Sequence, residues 1–173
     1  MTRLRAASAV AAVLVLLLVG VGCTHPAKTL DVAATQDAVG RAVASRTKAR
    51  VTDTLCPAEI RKEQGALVRC RSNLAGGVGV VRVSVRQIDD EGRLKVTVLD
   101  AIVDRAHVAT DLKIHLTAAF GRRFQVACGK GRKAVRPGTT FRCTARDRSS
   151  RRAVEVTVAD PAGTLRYRVL TGS

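Results

Sequence analysis

The chain is poor in aromatic side chains, with three Phe, one Tyr and no Trp in 173 residues. A core must therefore be built from Val, Leu, Ile and Ala, and a small core of that kind usually needs a covalent or metal staple. Metal-binding patterns are also scarce. The three histidines are His25, His107 and His115, and the last two stand eight residues apart on one amphipathic stretch. No pair of cysteines has the short spacing of a zinc knuckle or of a Cys-x-x-Cys redox motif. Nothing reads as G-x-S-x-G or as a nucleophile beside a base, and the one run of carboxylates, Asp89-Asp90-Glu91, lies in a turn. The expectation is a protein that is not an enzyme, with no catalytic residues, no metal and no cofactor.

Acidic residues are the other shortage. There are 14 Asp and Glu against 30 Lys and Arg, a formal net charge of +16. The excess is uneven. Residues 31–103 hold 12 basic and 9 acidic side chains, whereas residues 104–173 hold 15 and 5. Between Arg122 and Arg152 there are 11 basic residues and a single acid, Asp147. Within that stretch "GKGRKAVRPG" reads as a basic loop, and Lys130, Arg132, Lys133 and Arg136 are its candidate anion-binding residues. A solvated basic face is the plainer alternative. Nucleic acid is not the expected partner, because export removes the usual target and the chain has few aromatic platforms for bases.

The first long hydrophobic run supplies a location. Arg3 and Arg5 precede an apolar stretch from Ala6 to Val19, and small residues follow, which is the layout of a secretory signal. Gly20-Val21-Gly22-Cys23 resembles the lipobox of bacterial lipoproteins, with Gly20 where an aliphatic residue is usual. The resemblance implies cleavage before Cys23 and acyl chains on its thiol, which would hold the protein on the outer face of the cell membrane. Secretion without lipid and retention of an N-terminal membrane anchor are the alternatives. The expected layout is a signal peptide at 1–22, a tether at 23–30, one repeat at 31–101 and a second, more basic repeat at 102–173.

The repeat is visible in the spacing. Asp31 and Asp104 are 73 apart, Cys56 and Cys128 are 72 apart, and Cys70 and Cys143 are 73 apart. "GALVRC" at 65–70 recurs as "GTTFRC" at 138–143. Each repeat opens on a helical stripe: Ala38, Val39, Ala42 and Val43 in the first, Val108, Leu112, Leu116 and Ala119 in the second. Asp31 or Asp37 is placed to favour the first helix start, and Gly121 to end the second helix. Period-two alternation follows, with Val81, Val83 and Val85 against Arg82, Ser84 and Arg86, and Val154, Val156 and Val158 against Glu155 and Thr157. The expected fold class is α+β: two tandem units, each one helix on a roughly four-stranded antiparallel sheet. With Cys23 set aside, the repeat pairs Cys56 with Cys70 and Cys128 with Cys143, so each unit holds one disulfide. Export permits such bonds.

Cys56-Pro57, then Gly65-x-x-Val68-x-Cys70, then a Val-rich hairpin resembles a domain of unknown function of actinobacterial secreted proteins and lipoproteins. The second repeat has Gly138-x-x-Phe141-x-Cys143 but has Gly129 after Cys128 in place of proline. The resemblance implies an envelope location and carries no catalytic residues. The expected function is a membrane-anchored, non-catalytic binding or structural module that contacts anionic lipid or wall polymer through its second repeat. The alternative is a protein-interaction module or an inhibitor of another envelope protein.

Overall fold

Asp31 starts the first helix, as its short acceptor side chain suits it to do. In the computed structural model, which describes residues 29–170, its carboxylate accepts the Ala34 N–H at 2.9 Å. The expected signal at 1–22, Cys23 and His25 lie outside the described residues. Helix α1 runs Val32–Thr47 and ends where Lys48 takes the left-handed conformation and returns its N–H to the Ala44 carbonyl. Val39 and Val43 are fully buried along its inner stripe. Strands β1 (Val51–Leu55), β2 (Leu67–Leu74), β3 (Gly79–Gln87) and β4 (Leu94–Val98) then form an antiparallel sheet in chain order.

The chain continues through a short strand, β5 (Ala101–Asp104), straight into helix α2 (Arg105–Phe120). Asp104 caps this helix by accepting the N–H groups of Ala106 and His107, and Gly121 closes it at φ 65°. Val108, Leu112 and Leu116 are buried. Ala119, expected on the same stripe, is exposed. Strands β6 (Gln125–Ala127), β8 (Thr140–Arg146), β9 (Arg151–Val158) and β10 (Leu165–Val169) make a second antiparallel sheet in the order β6-β8-β9-β10. The fold is thus mixed helix and antiparallel sheet, with each helix packed on one sheet.

Two apolar clusters result. One gathers Val39, Val43, Cys70, Val81, Val83, Val85 and Val98, and the other gathers Leu112, Leu116, Phe124, Cys143, Val154, Val156 and Val158. Full burial of one such aliphatic side chain stabilises by roughly 1.5–3 kcal/mol before chain entropy is counted. Disulfides Cys56–Cys70 and Cys128–Cys143 each tie a segment that follows an edge strand to the strand beside it.

The repeated hexapeptide has a structural meaning. Gly65 and Gly138 sit at φ 84° and 86°, where a β-carbon is strained, and donate their N–H groups to Gln87 and Val158 carbonyls. Val68 and Phe141 are half-buried against the two clusters, and Arg69 and Arg142 are exposed on the opposite face. The motif is therefore a turn followed by an alternating strand whose cysteine is pinned inside.

One expectation is corrected. The stretch at 129–138 is not a free basic loop. Its centre is a strand, β7 (Arg132–Val135), paired antiparallel with β5 as a two-stranded ribbon. Ala134 and Val135 pack against the two apolar clusters, and the Ala134 N–H donates to the Val78 carbonyl at 2.8 Å. Short apolar contacts and a ready partner strand outweigh the solvation that the four cations would otherwise favour.

Candidate functional site

The outward faces of both sheets are lined with arginine, and strand register fixes which ones. On the first sheet Arg69 and Arg71 of β2, Arg82 and Arg86 of β3 and Lys95 of β4 share one face, because Arg71 pairs with Arg82 and Arg86 pairs with Lys95. On the second sheet Arg142 and Arg146 of β8, Arg151 of β9, and Arg166 and Arg168 of β10 do so. Arg146 stands directly opposite Arg151, a like-charge pair that costs stability unless something neutralises it. Glu155 is the one acid within the strands of that face, and it accepts from Arg168 at 2.6 Å.

The expected anion-binding residues separate into different roles. Arg132 turns inward: its guanidinium donates to the Thr47 carbonyl at 2.8 Å and the Lys48 carbonyl at 3.5 Å, at the C-terminal end of α1. A cation there meets both the orphan carbonyls and the negative end of the helix dipole. Lys133 donates to the Gly77 carbonyl at 2.8 Å, in the turn between β2 and β3. These two side chains fasten the ribbon to the first sheet. Lys130 is exposed in the turn before β7. Arg136, just past β7, lines a cleft that it shares with Arg69, Arg71 and Arg82. Sequence alternation places those last three on a wet face but does not bring Arg136 to them, because that step depends on β7 being a strand.

Among the described residues no group of three or more His, Cys, Asp or Glu side chains is arranged to hold a metal ion. His107 lies 3.4 Å from Asp111 one helical turn on, and His115 lies beside the Tyr167 ring. Burial, with the nearby Asp111 charge, pushes the Tyr167 hydroxyl up from its ordinary value. Asp89 and Asp160 each hold a hairpin turn by accepting the N–H four residues on, from Arg93 at 2.9 Å and Thr164 at 3.1 Å. Both carboxyls are held below the usual range, Asp89 chiefly by the Arg93 N–H and Asp160 chiefly by Thr164.

Asp147 is the most strongly anchored of these carboxylates. It accepts the N–H groups of Ser149 and Ser150 at 2.8 and 2.7 Å and lies 3.2 Å from Arg122. Chiefly through the Ser149 N–H, with that of Ser150, its pKa is lowered to about 2. A folded-state value below the unfolded one, roughly 3.9, means that the ionised turn favours the native state above that value. The contribution is lost as the pH falls towards 2. Asp147→Asn should therefore lower the Tm at pH 6, and the difference from wild type should shrink steadily below pH 4. A constant difference down to pH 2 would contradict this assignment.

Residues 94–163 match the family described as "Domain of unknown function (DUF4333)". The match is less than half of the 173-residue chain. It runs from β4 to the turn between β9 and β10, and so takes in α2, the ribbon, and the disulfide Cys128–Cys143. The DUF4333 stretch thus contains Arg136, whereas Arg69, Arg71 and Arg82 lie before it. No curated protein and no solved structure matches the chain. Among the described residues no helix is long and apolar enough to cross a membrane.

Proposed function

We propose that this chain is a non-catalytic envelope module that binds phosphate-bearing anionic material through its arginine-lined sheet faces. The observation that carries the reading is the second sheet's outer face, where Arg142, Arg146, Arg151, Arg166 and Arg168 stand against Glu155 alone. A flat basic face of this kind suits a surface or polymer with repeated negative charge, and each basic group close to an anionic membrane contributes about 1 kcal/mol. The signal-like residues 1–22 and the lipobox-like Gly20 to Cys23 support export and a lipid anchor on Cys23, on the outer face of the cell membrane. Intact mass of the exported protein, showing cleavage before Cys23 and added acyl mass, tests the anchor.

The module is built, in this reading, from two copies of one small α+β domain of the actinobacterial secreted and lipoprotein type. Matching hydrogen bonds support it. The helix caps Asp31 and Asp104 are 73 apart, as are the left-handed residues Lys48 and Gly121 and the glycines Gly65 and Gly138. Val83 pairs with Val98 as Val154 pairs with Val169, each 71 residues on. The turn aspartates Asp89 and Asp160 keep that spacing of 71, so the two-residue difference falls in the turn before β3 and β9. The DUF4333 match then begins in the last strand of the first copy and covers the second as far as the turn before β10.

Sedimentation with vesicles and polymer tests the function. The soluble chain, residues 24–173, should bind phosphatidylglycerol vesicles or a glycerol-phosphate polymer, and not phosphatidylcholine vesicles. Neutralising Arg146, Arg151 and Arg166 together to Gln should weaken that binding at least about tenfold. Equal binding to neutral vesicles, or none to either anionic partner, overturns the reading.

A further inference from the structure

The β5–β7 ribbon also walls a cleft of about 530 Å³ on the outer face of the first sheet. One side is the sheet, with Arg69 and Arg71 on β2 and Arg82 on β3, and the other is the end of β7 and Arg136. Val80 and Leu99 supply apolar surface between them. The volume is in the range of pockets that hold a small organic molecule, roughly 300–1,000 Å³, and is more than a bare anion fills.

The charges in the cleft are not balanced internally. Arg71 stands directly opposite Arg82, and Arg69 is two residues along the same face. Arg82 is neutralised by Asp100, whose buried carboxylate accepts the Arg82 N–H at 2.7 Å and its guanidinium at 2.5 and 3.0 Å. That bond fixes the Arg82 side chain and leaves its Nη1 group free of partners among the described residues. No carboxylate among the described residues pairs with Arg69, Arg71 or Arg136. Three guanidinium groups without a carboxylate partner among the described residues, and a fourth held in place by Asp100, thus surround one concavity.

We propose that this cleft binds a phosphate ester. The phosphate is held by Arg69, Arg71 and Arg136, and the organic part lies over Val80 and Leu99. Arginine's planar fork matches the oxygens of a phosphate in pairs, so three such side chains around one hollow suit a phosphate group. The proposal rests on the anion-binding reading above and narrows it to a discrete site. That site needs both halves of the chain, since Arg136 reaches it only through the ribbon that Arg132 and Lys133 fasten to Thr47, Lys48 and Gly77. The ester has two sources with the same chemistry, a lipid headgroup and a glycerol-phosphate or sugar-phosphate unit of a polymer.

Calorimetric titration of residues 24–173 with glycerol 3-phosphate tests the site. Saturable binding is expected, with inorganic phosphate weaker and glycerol not bound. Arg71→Gln and Arg136→Gln should each weaken the ester about tenfold or more, with an unchanged Tm because both side chains are exposed. Arg146→Gln with Arg151→Gln, on the other sheet, should leave ester binding intact. Competition by phosphatidylglycerol vesicles supports the site with a headgroup as its source, and competition by the polymer supports it with a polymer unit. No saturable binding of the ester, or wild-type affinity in an Arg71→Gln, Arg136→Gln double variant, overturns the site. Glycerol 3-phosphate failing to bind while the chain still sediments with anionic vesicles sinks the cleft alone. The opposite result sinks the surface reading alone.

Discussion

Replacing Cys128 and Cys143 by alanine is expected to lower unfolding stability by about 3 kcal/mol. The bond closes a loop between positions 15 residues apart, and the entropy returned to the unfolded chain sets most of that figure. Packing adds to it. Both sulfurs sit in the apolar cluster under α2, with Cys128 and Cys143 buried against Val154 and Ala145. The pair Cys56–Cys70 closes a separation of 14, so the entropic part is nearly equal there. Cys56 is only half-buried, however, so the packing part is smaller. Urea denaturation of the two double variants should show large losses for both and the larger one for Cys128/Cys143. A midpoint unchanged in either variant, or in the wild type under full reduction, would contradict the role of the staples in a core with so few aromatic side chains.

Leu112→Ala is the second large effect, with an expected loss of about 3 kcal/mol within the range of 2–5 seen for buried leucines. Leu112 has no exposed surface and is among the largest wholly buried side chains of the chain. It stands at the centre of the α2 stripe between Val108 and Leu116, in one apolar cluster with Val154 and Val156. The backbone around it is fixed at both ends, by the Asp104 cap and by the Gly121 turn, so the helix has little freedom to settle into the space left. Ile114, two residues on and exposed, is the control: Ile114→Ala should move the midpoint little. Equal losses at the two positions would mean that the helix is packed on a different face.

Much of the fold is legible in the sequence because local signals and periodicity agree. Asp31 and Asp104 precede helical stripes, glycines precede alternating strands, and valines repeat at a spacing of two where β3 and β9 form. The positions of Val39, Val43, Leu112 and Leu116 follow from the same spacing. The ribbon is not legible. Strand β5 has four residues and β7 has four, and β7 carries two cations and two flanking glycines at Gly129 and Gly131. Its identity as a strand comes from a partner some thirty residues earlier, as in the pairing of Ala101 with Val135 and Asp104 with Arg132, which no local pattern reports. The same gap hides the cleft. Alternation puts Arg69, Arg71 and Arg82 on a wet face, and the run of cations puts Arg136 in a basic stretch. Only the tertiary pairing brings them to one hollow and turns Arg132 and Lys133 into fasteners.

The role of Asp100 is equally hidden in the sequence. It follows β4 as one acid among nine in residues 31–103. Its burial beneath Arg82 shows only once strand register sets Arg82 beside Leu99, whose N–H donates to the Arg82 carbonyl at 2.9 Å. The Asp100 bond also raises the Arg82 pKa from its ordinary value.

The most direct measurement of the central claim is the affinity of residues 24–173 for phosphatidylglycerol vesicles and for a glycerol-phosphate polymer across a salt series. The account predicts saturable binding to at least one of them that weakens steadily as salt rises, with a shallower dependence when Arg146, Arg151 and Arg166 are changed to Gln. Binding that ignores salt, or that the three substitutions leave unchanged, would contradict it.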